Sequence, residues 1–80
     1  MEITVHLFSH LKYALEAASL TLDLPAGATS ADVVDAVRGR LSAPQADIPL
    51  QVAVNQVYVR EAVPLQAGDE VALIPPVQGG

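Results

Sequence analysis

Apolar and polar residues alternate in "EITVHLF" at 2–8, and a short, strongly apolar strand segment, "EVALIP", stands at 70–75 near the other end of this chain. Only one longer stretch between them keeps a helical period, and that combination restricts the fold more than any other feature. Residues 2–8 are predicted to form a strand with Ile3, Val5 and Leu7 on one face and Thr4, His6 and Phe8 on the other. Ser9 is placed to cap a short helix carrying Leu11, Ala14, Leu15 and Ala18 on one stripe. "SLTLDLP" alternates again, directing Leu20, Leu22 and Leu24 inward until Pro25 and Gly27 end the strand.

The helical stretch is "TSADVVDAVRGRL". Thr29 stands three residues before Asp32, the spacing of a capping box, and Asp32 and Asp35 complement the positive end of the helix. Val33, Val37 and Leu41, with Val34 alongside, form the buried stripe, and Arg38 and Arg40 suit the negative end. Gly39 falls in the last turn and weakens it slightly. A proline-marked loop, "SAPQADIP", follows, and "LQVAVN" and "VYVR" then read as two strands joined near Asn55-Gln56. Gly68-Asp69 turns the chain into the last strand. The order β-α-β-α-β-β-β, without repeats or linkers, predicts an α+β ubiquitin-like β-grasp roll: a mixed sheet of about five strands with helices on one face. The domain is expected over 1–76, with a flexible tail over 77–80.

Size and charge remove whole classes of function. Eighty residues hold one core, and a body this small buries only about 60% of the surface its unfolded form exposes. Cysteine is absent, so disulfides, thiolate nucleophiles and cysteine zinc sites go together. A net charge of −5, from nine acidic residues against Lys12, Arg38, Arg40 and Arg60, disfavours nucleic acid and anionic membranes and suits a partner with a basic groove. The opening segment lacks the cationic start of a secretory signal, and no apolar run approaches the ~20 residues of a membrane span. A cytoplasmic location is the expectation. The 51% apolar content implies dense packing or an apolar surface facing a partner.

The catalytic inventory is thin. His6 and His10 are the only histidines, with no HExxH-type spacing around them, so they read as surface or satisfied residues and no metal site is expected. Ser9, Ser19, Ser30 and Ser42 sit at expected caps and turns, and none lies in GxSxG. Asp32 and Asp35 on the helix, and Asp69 and Glu70 in a turn, read as solvated charges rather than an acid–base pair. The glycines form no phosphate-cradling pattern, and no bound cofactor is expected.

Chemistry is concentrated instead in "IPPVQGG". A terminal carboxylate is an anion at neutral pH and a poor electrophile, so acyl chemistry there requires prior activation, for example as an adenylate. Gly79 and Gly80 lack Cβ and can thread a narrow channel in whatever conformation a partner demands. Pro75 and Pro76 hold the exit from the sheet extended. Gly80 then reaches up to roughly 13–14 Å beyond Pro76, at ~3.3–3.6 Å per residue.

"ITVHLF", "AVNQ" at 53–56 and above all "PLQAGDEVALIPPVQGG" at 64–80 together resemble the small-subunit family of molybdopterin synthase, the MoaD-like branch of the ubiquitin-like sulfur carriers. The resemblance spans essentially the whole chain. It implies that Gly80 is adenylated by an E1-like adenylating enzyme, which uses ATP, and is then converted to a thiocarboxylate by a sulfur donor (a sulfurtransferase). Val77, Gln78 and Gly79 form the tail that carries it. It implies further that the tail enters the large subunit, where sulfur passes to a cyclic pyranopterin precursor, two charged carriers serving each product. On that reading the chain is the non-catalytic sulfur-donor subunit of a composite sulfurtransferase, a heterotetramer with a large-subunit dimer, and the catalytic side chains belong to the large subunit.

Strand parity supplies a candidate docking surface. Phe8, Tyr58 and Ile74 are expected on the open face of the sheet as an apolar patch beside Pro75, Pro76 and the tail, with Arg60 at its rim. Family members are similar in gripping the large subunit with that face. Three other readings remain open on the residues: a thiamine or tRNA-thiolation carrier, a protein modifier forming isopeptide bonds through Gly80, and an interaction domain with an inert tail.

Overall fold

The computed structural model describes residues 1–42 and 46–76. Five strands and two helices follow in the order β1 (Glu2–Leu7), α1 (His10–Ala14), β2 (Ser19–Asp23), α2 (Ser30–Arg38), β3 (Gln51–Val54), β4 (Val57–Val59) and β5 (Glu70–Ile74). They form one mixed sheet in the order β2-β1-β5-β3-β4. β1 and β5 run parallel at its centre, with Val5 opposite Val71 and Leu7 opposite Leu73. The remaining pairs, β1–β2, β5–β3 and β3–β4, are antiparallel.

The period-two pattern decides which face is closed. Ile3, Val5, Leu7, Val71 and Leu73 are buried on one side of the central pair, where Val33 and Val37 of α2 and Leu11 of α1 meet them. Parallel central strands need a crossover, and α2 provides it by lying across that face. Its start follows the predicted spacing: the Asp32 carboxylate accepts the Thr29 N–H at 2.7 Å. Its end differs, since Gly39 is the C-cap rather than part of the last turn.

Long-range ties that no local pattern announces close the rest. Val63 to Leu65 lies antiparallel to Ala28–Ser30, with the Ser30 N–H donating to Val63 C=O at 2.9 Å and the Leu65 N–H to Ala28 C=O at 3.0 Å. Buried Ser30 is satisfied there by accepting the Val63 N–H on its hydroxyl at 3.0 Å. Arg38 donates to the carbonyls of Ala46 and Ile48, pinning the loop that follows α2. Residues 43–45 of the predicted "SAPQADIP" loop lie outside the described residues.

Several local expectations change. The first strand stops at Leu7, and Ser9 turns the chain with φ 54° and makes no side-chain cap. α1 is only five residues long; of its predicted stripe Leu11 is buried, Ala14 and Leu15 are half-buried, and Ala18 is exposed. In β2 Leu22 is fully packed, while Leu20 and the following Leu24 are half-buried, as befits an edge strand.

Candidate functional site: the open face and the exit of the chain

Because β1 and β5 are parallel neighbours, they end at the same edge of the sheet. Phe8 follows Leu7 and Ile74 follows Leu73, so both lie one residue beyond the last β1–β5 pair, Ile74 still pairing with Gln51 of β3, and the chain leaves the sheet beside Phe8. Phe8 is 46% exposed and Ile74 half-buried. Tyr58 belongs to the same side: His6 pairs with Ala72, Ala72 with Ala53, and Ala53 with Tyr58, giving one row across four strands. At about 4.8 Å per strand, Tyr58 stands roughly 14 Å from His6, and it is 65% exposed. The structure therefore brings Phe8, Tyr58 and Ile74 to one open face whose middle, Ala53 and Ala72, is low.

The two prolines separate. Pro76 is exposed, but Pro75 is buried, a correction to its expected place in the contact surface. Parity explains it: Leu73 and Pro75 both turn toward the helix side, so Pro75 seals the end of the core and Pro76 begins the exposed exit. Val77, Gln78, Gly79 and Gly80 lie outside the described residues. Arg60 follows the edge strand β4 and lines a groove with Val34, Asp35 and Val59 beside α2, rather than the centre of the open face.

Polar groups that sequence reasoning set aside as turn or surface charges occupy this face. His6 Nε2 lies 2.7 Å from Glu70 Oε1, both side chains partly exposed. Next to them the β3–β4 connection turns through Asn55 and Gln56 with φ 49° and 71°, the left-handed pair of a two-residue hairpin. Asn55 is also a clamp. Its N–H donates to Glu70 C=O at 2.7 Å, its Oδ1 accepts the Glu70 N–H at 3.0 Å, and its Nδ2 donates to Asp69 Oδ1 at 3.1 Å. The other Asp69 oxygen accepts the Gln66 N–H at 2.8 Å. The Gln66 N–H and then the Asn55 amide hold the Asp69 carboxyl below its ordinary 3.8. His6 and Glu70 were separable in sequence by 64 positions; only the parallel pairing of β1 with β5 reveals that they meet.

Among the described residues there is no group of three or more His, Cys, Asp or Glu side chains arranged to hold a metal, and no helix long and apolar enough to cross a membrane. The geometry sets an open, partly apolar face beside the point where the chain leaves the sheet.

A model of the ThiS family matches residues 5–80. The chain belongs to the ThiS family. This ThiS-family chain is 31% identical over 81 residues to the molybdopterin synthase sulfur carrier subunit of Arabidopsis thaliana, covering all of this chain and 84% of that protein. Among solved structures, SAMP1 of Haloferax volcanii superposes with a TM-score of 0.82 at 26% identity, each chain covered completely. A chain from the Helicobacter pylori complex of subunits 1 and 2 of the molybdopterin-converting factor superposes with a TM-score of 0.68 at 21% identity, again with full coverage of both. The fold is the ubiquitin-like β-grasp, and the resemblance to the molybdopterin synthase sulfur carriers runs the length of the chain.

Proposed function

We propose that this chain is the sulfur carrier subunit of molybdopterin synthase, and that Gly80 bears the sulfur. One observation carries the reading: the correspondence to the curated molybdopterin synthase carrier covers all of this chain, glycines 79 and 80 included. The open face supports it, since an exposed aromatic pair beside the exit of the chain suits a protein that must dock before it delivers. The Gly80 carboxylate attacks ATP on an E1-like adenylating enzyme, releasing pyrophosphate. Persulfide sulfur on a sulfurtransferase, released as sulfide by a thiol reductant that is oxidised to its disulfide, then displaces AMP and leaves a thiocarboxylate. Docked on the large subunit through Phe8, Tyr58, Ile74 and Pro76, the carrier presents that sulfur to the cyclic pyranopterin precursor. The body contributes positioning, the large subunit the catalytic side chains, and the cytoplasm is the expected compartment.

The likeness to SAMP1, a small archaeal modifier protein, favours a second reading in which the activated Gly80 is passed to a lysine as an isopeptide. Reconstitution separates the two. With large subunit, adenylating enzyme, ATP, sulfur donor and pterin precursor, the intact chain is expected to yield dithiolene product. A chain lacking Gly79 and Gly80 should fold normally and yield none. Product from the truncated chain, or a stable lysine conjugate with no dithiolene from the intact one, would defeat the proposal.

A further inference from the structure

The open face contains a concavity of about 410 Å³ lined by His6, Phe8, Asn55, Gln56, Glu70 and Ala72. We propose that it receives an arginine side chain of the protein that docks on this face. The inference rests on the reading of the open face as the surface that meets the large subunit.

Charge sets the sign of the occupant. Glu70 is the carboxylate of the concavity, the chain carries a net charge of −5, and the concavity is lined by no Lys or Arg. An anion is therefore repelled. A purely apolar side chain is no better, because covering Glu70 without a new donor leaves a desolvated carboxylate, at a cost of several kcal/mol. A cationic donor from the partner complements the carboxylate best, since charge-assisted hydrogen bonds are the stronger ones.

The walls select among cations. Glu70 Oε1 is engaged by His6, whereas Oε2 has no hydrogen-bond partner among the described residues. The Gln56 side chain, which also lines the concavity, brings a second acceptor oxygen. Phe8 supplies an aromatic wall. A guanidinium has the planar face to stack on a ring and the several donors to reach separate acceptors at once, while an ammonium is a strongly hydrated point charge. The Asn55 clamp fixes the lip itself, since it ties the hairpin turn to the backbone of Glu70.

Calorimetric titration of the full chain and its variants into the cognate molybdopterin synthase large subunit tests this. Glu70→Gln is expected to weaken binding about tenfold and flatten its salt dependence, and Glu70→Lys to weaken it about a hundredfold. Both variants should melt close to the parent, because the Glu70 side chain is 61% exposed. Glu61→Gln makes the same charge change at an exposed carboxylate outside the concavity, and should bind like the parent. Among arginine-to-alanine variants of the large subunit, one should be non-additive with Glu70→Gln. Glu70→Gln binding within twofold of the parent with the same salt slope overturns the inference. So does a loss in Glu61→Gln equal to that in Glu70→Gln, or coupling to a lysine alone. Failure of the unmodified chain to bind the large subunit is a different result: it removes the docking reading itself, and this inference with it.

Discussion

The two faces of one sheet show how a small domain divides its work. Both are written by the same strands, since each alternates its side chains. On the helix side, Ile3, Val5, Leu7, Val71 and Leu73 are fully packed against Val33, Val37 and Leu11. On the other, His6, Ala72, Ala53 and Tyr58 form a row of small and polar residues bounded by aromatics. The closed face holds the fold, and the open one is available to recognise a partner. The division predicts that substitutions on the two faces fail in different assays.

The largest effect is expected on the closed face. Leu73→Ala removes a fully buried side chain at the centre of the sheet and should lower unfolding free energy by about 2–5 kcal/mol in urea titration. In a domain of this size such a loss approaches the whole stability. A cost below about 1 kcal/mol would mean that the face is not the core described here.

Next comes the clamp between the faces. Asn55→Ala breaks two side-chain hydrogen bonds and leaves a residue with φ 49° that has lost the side chain best suited to it. A loss of about 1–3 kcal/mol by the same titration is expected. Because Asn55 also sets the lip of the concavity, affinity for the large subunit should fall as well, which neither face alone predicts.

Third is acid sensitivity. Asp69 has a folded pKa below its ordinary 3.8, so its contribution is present above that value and is lost as pH falls through the lower, folded one. Thermal melts of Asp69→Asn compared with the parent should therefore differ at neutral pH and converge as pH drops below about 4. A constant gap across that window would contradict the role given to the Gln66 and Asn55 hydrogen bonds.

The smallest stability change belongs to the open face. Phe8→Ala and Tyr58→Ala should unfold within about 0.5–1 kcal/mol of the parent, since Tyr58 is 65% and Phe8 46% exposed and neither belongs to the packed core. The same variants should lose at least tenfold in affinity for the large subunit, measured by titration. Unchanged affinity would make the two faces equivalent in function and end the comparison.

How much of this was legible in sequence follows from the range of each interaction. Strand parity placed Phe8, Tyr58 and Ile74 together because alternation is local, and the Thr29–Asp32 spacing announced the helix start for the same reason. The sharp turn at Ser9, with φ 54°, carried no glycine to betray it, whereas the hairpin at Asn55-Gln56 was legible from the two strand patterns that flank it. Pro75 looked like part of an exposed exit until the register turned it to the core. The pairing of Val63–Leu65 with Ala28–Ser30 and the meeting of His6 with Glu70 depend on topology, so no local window contains them. The chemistry assigned to Gly80 was legible only through resemblance, because a glycine has no side chain from which to argue.

The central claim is that Gly80 carries sulfur, and intact mass with C-terminal fragmentation tests it most directly. The full chain is incubated with its adenylating enzyme, ATP and a sulfur donor. A gain equal to replacing one oxygen by sulfur, located on Gly80, is the predicted result. An unchanged mass, with the adenylating enzyme shown to be active, would contradict the account and leave an interaction domain with an inert tail.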